Sequence, residues 1–171
     1  MPKVKSNLAT DELRCKAGRL LFVGLPGTRL DKRLRALLRE VRPGGVILFG
    51  RNIETAEQVA LLTAQIRDAL DHQVLIGIDQ EGGLVDRFRA ICEPMPAAKH
   101  VRDAARTDLA EQCGALSARV LRLLGFNLNF APVLDLGGGN EANGLRARTF
   151  GTQPAEVSRL AGAYLDGLQT G

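Results

Sequence analysis

Residues 74–83 read Val74-Leu-Ile-Gly-Ile-Asp79-Gln-Glu-Gly-Gly83, an apolar run that passes directly into acids and paired glycines. Its first five residues show no polar alternation, which suits a strand buried on both faces, as in a parallel sheet. The same grammar recurs on either side. Leu20–Gly24 is an apolar run closed by Gly-Leu-Pro-Gly, and Val46–Phe49 is another, entered through Pro43-Gly44-Gly45. Phe126–Val133 is the fourth, with Pro132 where pairing should be finishing.

Helical periods lie between these runs. Leu30, Leu34, Leu37, Leu38 and Val41 follow the first, and Val59, Leu62, Ile66 and Leu70 follow the second. Thr55-Ala-Glu-Gln58 is a capping-box pattern. After a Pro-containing loop, Leu109, Cys113, Leu116, Val120 and Leu123 predict an amphipathic helix that Gly125 ends as a left-handed cap. A last helix begins near Pro154 and carries Val157, Leu160, Ala161, Tyr164 and Leu168. A short helix around Thr10–Lys16 precedes the series, and residues 1–7 read as a flexible tail. The expectation is an α/β fold of about four parallel β-α units. Spacing alone leaves open whether the four strands form a small open sheet or half of a barrel, since a complete barrel takes about 250 residues.

Composition narrows the classes of function. The 171 residues are 45% hydrophobic and 25% charged, which fits one globular domain. The net charge of +4 is spread over helix surfaces rather than gathered in a stripe, which argues against nucleic acid as partner. No apolar run is long enough to cross a membrane and no signal-peptide pattern opens the chain. Cys15, Cys92 and Cys113 are widely spaced and give no zinc pattern, so no metal or cofactor is expected. Three unpaired thiols point to a reducing, cytoplasmic setting.

Polar clusters follow the carboxyl ends of the strands, the face where parallel α/β proteins bind ligands. Arg51-Asn52 follows the second, Asp79-Gln80-Glu81 the third, and Asp135 with Arg146–Arg148 the fourth. If the strand continued through Asp79 and Glu81, their carboxylates would stand roughly 6–7 Å apart on one face, the separation of an inverting glycosidase pair. The glycines behind them equally allow a turn that rotates Glu81 away, leaving Glu81 to brace a neighbouring strand by an ion pair and Asp79 to cap the turn. Arg87 and Arg89 flank Phe88 and could bracket a hydroxyl-rich or anionic ligand, or could be solvated surface arginines. Asp135-Leu-Gly-Gly-Gly-Asn140 lacks the Gly-Lys-Ser/Thr ending of a phosphate loop, which argues against a small nucleotide-binding protein. His72 falls in the loop before the third strand and His100 has no Ser or Cys partner at a meaningful spacing, so neither reads as a ligand or base.

Four segments together resemble glycoside hydrolase family 3, and within it the short bacterial β-N-acetylhexosaminidase branch. They are Pro43-Gly-Gly-Val-Ile-Leu-Phe49 with Arg51-Asn52; Ile78-Asp-Gln-Glu-Gly-Gly83 with Val85 and Arg87-Phe88; Asn129-Phe-Ala-Pro-Val-Leu-Asp135; and Arg148-Thr-Phe-Gly151. They occur in the family's order and spacing from about Leu20 to Gly171. The resemblance implies the N-terminal half of a (β/α)8 TIM-type barrel, 1–171 being one partial domain. It also implies removal of terminal β-linked N-acetylglucosamine with retention, in peptidoglycan recycling. By the same resemblance Asp79, Arg87 and Arg148 bind the sugar, with Glu81 and Asp135 in support. Leu84 stands where the family usually carries arginine, so a brace of the loop is expected to be missing. The family's Lys-His pair, acid/base histidine and nucleophilic aspartate have no counterpart before Gly171, so no catalytic residue is expected here. Without a nucleophile a retaining glycosidase cannot form its covalent intermediate. An inactive remnant or sugar-binding module and a β-glucosidase-type member remain the alternatives. Half a barrel would also leave two strand edges and an apolar face open, inviting self-association.

Overall fold

A computed structural model describes residues 3–138 and 144–171. The elements run α1 (Lys3–Arg19), β1 (Phe22–Gly24), α2 (Lys32–Val41), β2 (Gly45–Leu48), α3 (Ala56–Ala69), β3 (Leu75–Ile78), α4 (Ala98–Ala104), α5 (Thr107–Leu123), β4 (Leu128–Asn129) and α6 (Pro154–Thr170). Short 3₁₀ turns lie at Gly50–Asn52 and Arg146–Arg148. The four strands form one sheet in the order β1-β2-β3-β4, and every pairing is parallel. α1 is longer than the expected Thr10–Lys16, so residues 3–7 of the expected tail are helical backbone, while residues 1–2 lie outside the described residues.

One face of the sheet is sealed. Val46 and Leu48 of β2 and Ile76 and Ile78 of β3 are fully buried against Val59, Leu62 and Ile66 of α3. Asp31 caps α2 by accepting from the Leu34 N–H at 2.7 Å. Thr55 caps α3 by accepting from the Gln58 N–H at 3.1 Å. Gln58 reaches one residue further back than the box pattern requires, accepting from the Glu54 N–H. Its amide nitrogen donates to the Thr28 and Asn52 carbonyls, which ties the loops after β1 and β2 to the same helix.

The other face is open. Phe22 of β1 lies over Gly45 of β2, and Phe130 lies over Gly77 of β3. The two rings meet edge-on at 5.7 Å, and each remains more than two-fifths exposed. β1 and β4 are the two edges of the sheet.

Three expectations are corrected. The fourth strand shrinks from 126–133 to two residues. Here side chains replace part of the ladder: the Asn127 Oδ1 accepts from the Ile76 N–H at 2.6 Å and its Nδ2 donates to the Val74 carbonyl. The Pro-containing loop before α5 holds a helix of its own, α4. In α5 the expected stripe is only partly the buried one: Cys113 is buried, but Leu116 and Leu123 are exposed. The other buried residues are Ala110, Gly114, Ser117, Ala118 and Leu121. This face of small side chains lets α5 lie against α6 so closely that a Cβ on Gly114 would stand 2.0 Å from the Tyr164 carbonyl oxygen. The end of α5 is as expected. Gly125 adopts φ +82°, the Phe126 N–H bonds the Leu121 carbonyl and the Gly125 N–H bonds the Arg122 carbonyl, a Schellman cap.

Candidate functional site

The site is built on the loop that leaves β3. After Asp79 the chain turns through Gly82 and Gly83, whose φ values of +87° and +55° side chains rarely adopt. A Cβ at Gly82 would also meet the Pro96 carbonyl oxygen at 2.5 Å, so glycine is required twice over. The turn closes through the Glu81 N–H to the Val85 carbonyl, and this return brings Arg87 back beside Asp79. Arg87 Nη2 donates to Asp79 Oδ2 at 3.2 Å, with both side chains about a quarter exposed.

Buried polar side chains fix this geometry. Gln80 Oε1 accepts from the Arg87 N–H at 2.8 Å while its Nε2 donates to Asp86 Oδ2 at 2.8 Å. Asp86, itself buried, also accepts from the N–H groups of Phe88 and Met95. From β4, Asn129 clamps the Gln80 backbone, its Oδ1 accepting from the Gln80 N–H and its Nδ2 donating to the Gln80 carbonyl. A carboxylate removed from water is tolerated only with such donors. Gln80, Asp86 and Asn129 therefore hold the site, a role assigned to none of them from sequence, although Gln80 stood in the polar cluster and Asn129 in a family segment. The available signal was the Asn127-x-Asn129 alternation inside an otherwise apolar strand.

Glu81 does not share a free face with Asp79. Its two oxygens accept from Arg148, Oε2 from Nε and Oε1 from Nη2, both at 2.7 Å. The Glu81 side chain is only 10% exposed. Of the two roles open for Glu81, the ion pair is the one formed. It joins the loop after β3 to the 3₁₀ turn that follows β4, and Asp79 pairs with Arg87. The bound Glu81 carboxylate raises the Arg148 pKa above the usual arginine value; partial burial opposes this, and Asp135 and Asp79 add to the rise through their charges. Asp135 is exposed and forms no ion pair among the described residues.

Arg89 does not bracket a ligand with Arg87. Its guanidinium folds onto its own turn and donates to the carbonyls of Asp86, Gly83 and Leu84. The turn expected to lack a brace because of Leu84 thus has one from a different position, and Leu84 is exposed. The Arg146 side chain and residues 139–143 of the Gly/Asn loop lie outside the described residues. His72 sits at the amino ends of the strands, where its Nε2 contacts the Pro43 carbonyl, and takes no part in the site. Among the described residues no three His, Cys, Asp or Glu side chains gather as a metal site would require. No described helix is long and apolar enough to cross a membrane.

Asp79, Arg87, Glu81 and Arg148 thus converge at the carboxyl ends of β3 and β4. Two guanidinium groups, each steadied by a carboxylate, keep donors for hydroxyl and carbonyl oxygens, and the carboxylates keep lone pairs for hydroxyl protons. Such an array can orient a polyhydroxylated ring.

The model of the glycosyl hydrolase family 3 N terminal domain matches residues 12–171. A beta-hexosaminidase of Tolumonas auensis is 42% identical over 151 residues, covering 86% of this chain and 44% of the relative. One from Vibrio cholerae is 40% identical over 150 residues, covering 87% and 45%. NagZ from Neisseria gonorrhoeae, solved in complex with N-trifluoroacetyl-D-glucosamine, superposes with a TM-score of 0.80 at 32% identity, covering 87% of this chain and 46% of that one. A family 3 beta-N-acetylglucosaminidase from a Paenibacillus species gives 0.85 at 33%, covering 92% and 31%. The chain spans less than half the length of each of these relatives.

Proposed function

The chain belongs to glycosyl hydrolase family 3, and from that premise we propose that it supplies the saccharide-gripping half of a barrel that hydrolyses terminal β-linked N-acetylglucosamine. The observation that carries the proposal is the convergence of Asp79, Arg87 and Arg148 at one end of the parallel sheet, on one ion pair within the loop after β3 and a second that joins this loop to the turn after β4. Beta-hexosaminidase relatives and the NagZ complex with a glucosamine derivative support the choice of sugar.

In this proposal Asp79 accepts from ring hydroxyls, while Arg87 and Arg148 donate to oxygens of the same sugar. Glu81 fixes the plane of the Arg148 guanidinium, and Asp135 adds negative potential beside it. These groups bind and orient; none is placed to act as nucleophile or proton donor at the glycosidic bond. The acid/base histidine and nucleophilic aspartate of the family resemblance correspond to none of residues 1–171. Peptidoglycan recycling in the cytoplasm is the proposed setting, supported by the family branch and by three free thiols.

Titration of the purified chain with N-acetylglucosamine, followed by nuclear magnetic resonance, tests the proposal. Shifts should centre on residues 79–89 and 148, and Asp79→Asn should weaken binding about tenfold, the worth of one charge-assisted bond. Shifts elsewhere, or none, would overturn the site. Turnover of a chromogenic N-acetylglucosaminide by this chain alone would refute the absence of catalytic groups.

A further inference from the structure

Arg51, Arg87 and Arg148 stand at the carboxyl ends of the strands, and two of them are matched by acids. Arg87 has Asp79 and Arg148 has Glu81. The third, Arg51, lies on the 3₁₀ turn after β2, is exposed, and has no carboxylate partner among the described residues. Charge is therefore unevenly divided across the mouth. The β3–β4 side carries Asp79, Glu81 and Asp135 against two arginines, whereas the β1–β2 side carries Arg51 with no acid in contact.

Arg51 is also held in place. Its Nε donates to the Leu25 carbonyl at 3.2 Å, and its guanidinium lies 4.6 Å from the centre of the Phe49 ring. Its Nη2 reaches over Gly24 at the end of β1. The turn beneath is anchored by fully buried Asn52, which donates to the Leu25 and Gly27 carbonyls and accepts from the Phe49 N–H. The Arg87 guanidinium lies 5.8 Å from the same ring, so two cations share one aromatic surface. Cation–ring contacts stabilise each of them, but no carboxylate among the described residues neutralises Arg51. With Nε committed to Leu25, the two Nη groups remain as a preset fork for an anion.

We propose that Arg51 recognises an anionic substituent, a carboxylate or phosphate, on the saccharide or on the group attached to it, and so decides which end of the ligand lies over β1 and β2. This rests on the saccharide site proposed above. A neutral sugar needs only the β3–β4 side; an anionic one gains a second anchor on the other side of Phe49.

The test is titration calorimetry on the 171-residue chain. The probes are N-acetylglucosamine, its 6-phosphate, the non-hydrolysable phenyl 1-thio-β-N-acetylglucosaminide, and the 3- and 4-carboxyphenyl counterparts of that thioglycoside. At least one anionic probe should bind about tenfold tighter than its neutral counterpart, since a hydrogen bond to a charged group carries that much. Arg51→Gln should abolish the preference while leaving neutral binding unchanged, and Arg51→Lys should keep part of it. Unchanged thermal melts of both variants would show that the fold is intact. Neutral binding with no anionic preference, or a preference that survives Arg51→Gln, overturns the role of Arg51. Failure of the neutral probes alongside Arg51-dependent anion binding would instead overturn the saccharide site. Silence from every probe would count against both.

Discussion

Replacing Arg148 by methionine removes the fork that holds Glu81 and leaves that carboxylate behind in a site only 10% exposed. Breaking a fully buried pair costs about 3–5 kcal/mol, because the survivor is left unsolvated. A fully exposed pair is worth less than about 1 kcal/mol. Arg148 itself is 31% exposed. Water can thus enter from its side when it is shortened, which places Arg148→Met near 2 kcal/mol. Glu81→Gln should cost less, since the group it strands, the guanidinium, is the better hydrated of the two. In urea, with a slope of about 2 kcal/mol/M, the midpoint of Arg148→Met should fall by roughly 1 M. The melting temperature should fall by about 4–8 °C. Combining the two substitutions should recover about 1–2 kcal/mol of the summed losses, because the pair is broken only once. If Arg148→Met lies within about 0.5 kcal/mol of the parent chain, or if the two effects simply add, the pair does not tie the loops after β3 and β4 together.

Two further expectations concern the α5–α6 pair. A methyl group on Gly114 would stand 2.0 Å from the Tyr164 carbonyl oxygen, backbone against backbone, so Gly114→Ala should cost about 3 kcal/mol by forcing the helices apart. Gly162→Ala, with no atom within 4 Å of the added carbon, should be neutral or stabilising by up to about 1 kcal/mol in the same melt; equal losses from both would discredit the close approach. Burial raises the Tyr164 phenol above its usual value, with its bond to the Ser117 hydroxyl opposing the rise. Its neutral form is therefore favoured in the folded chain. That contribution is complete below pH about 10 and is lost as pH climbs through the folded value, so Tyr164→Phe should flatten the alkaline end of the stability profile. An unchanged alkaline slope in the variant would remove Tyr164 from the account.

The strand-helix order was legible in the sequence because it depends on local rules. Short apolar runs ended by glycine read as strands, and four segments in family order point to the architecture; only their burial was not local, since Leu20, Leu21 and Phe22 are exposed at the sheet edge. Helix ends were equally local, as the Thr55 cap and the Gly125 turn show. The buried face of α5 was not legible. Hydrophobic periodicity weighs large side chains, whereas α5 is buried through Ala110, Gly114 and Ala118, a choice made by the closeness of α6.

For the site, the sequence determined which charged groups stand at the ends of β3 and β4. Only tertiary structure decided their partners. Whether Glu81 faces Asp79 or Arg148 depends on two positive-φ glycines and on a residue 67 positions away along the chain. The same holds for Gln80 and Asn129, 49 positions apart, which mean nothing until β3 and β4 lie side by side. A short stretch of chain fixes its own backbone through sterics and nearby hydrogen bonds. The partner of a buried charge is set by whichever distant group can reach it once water has been excluded.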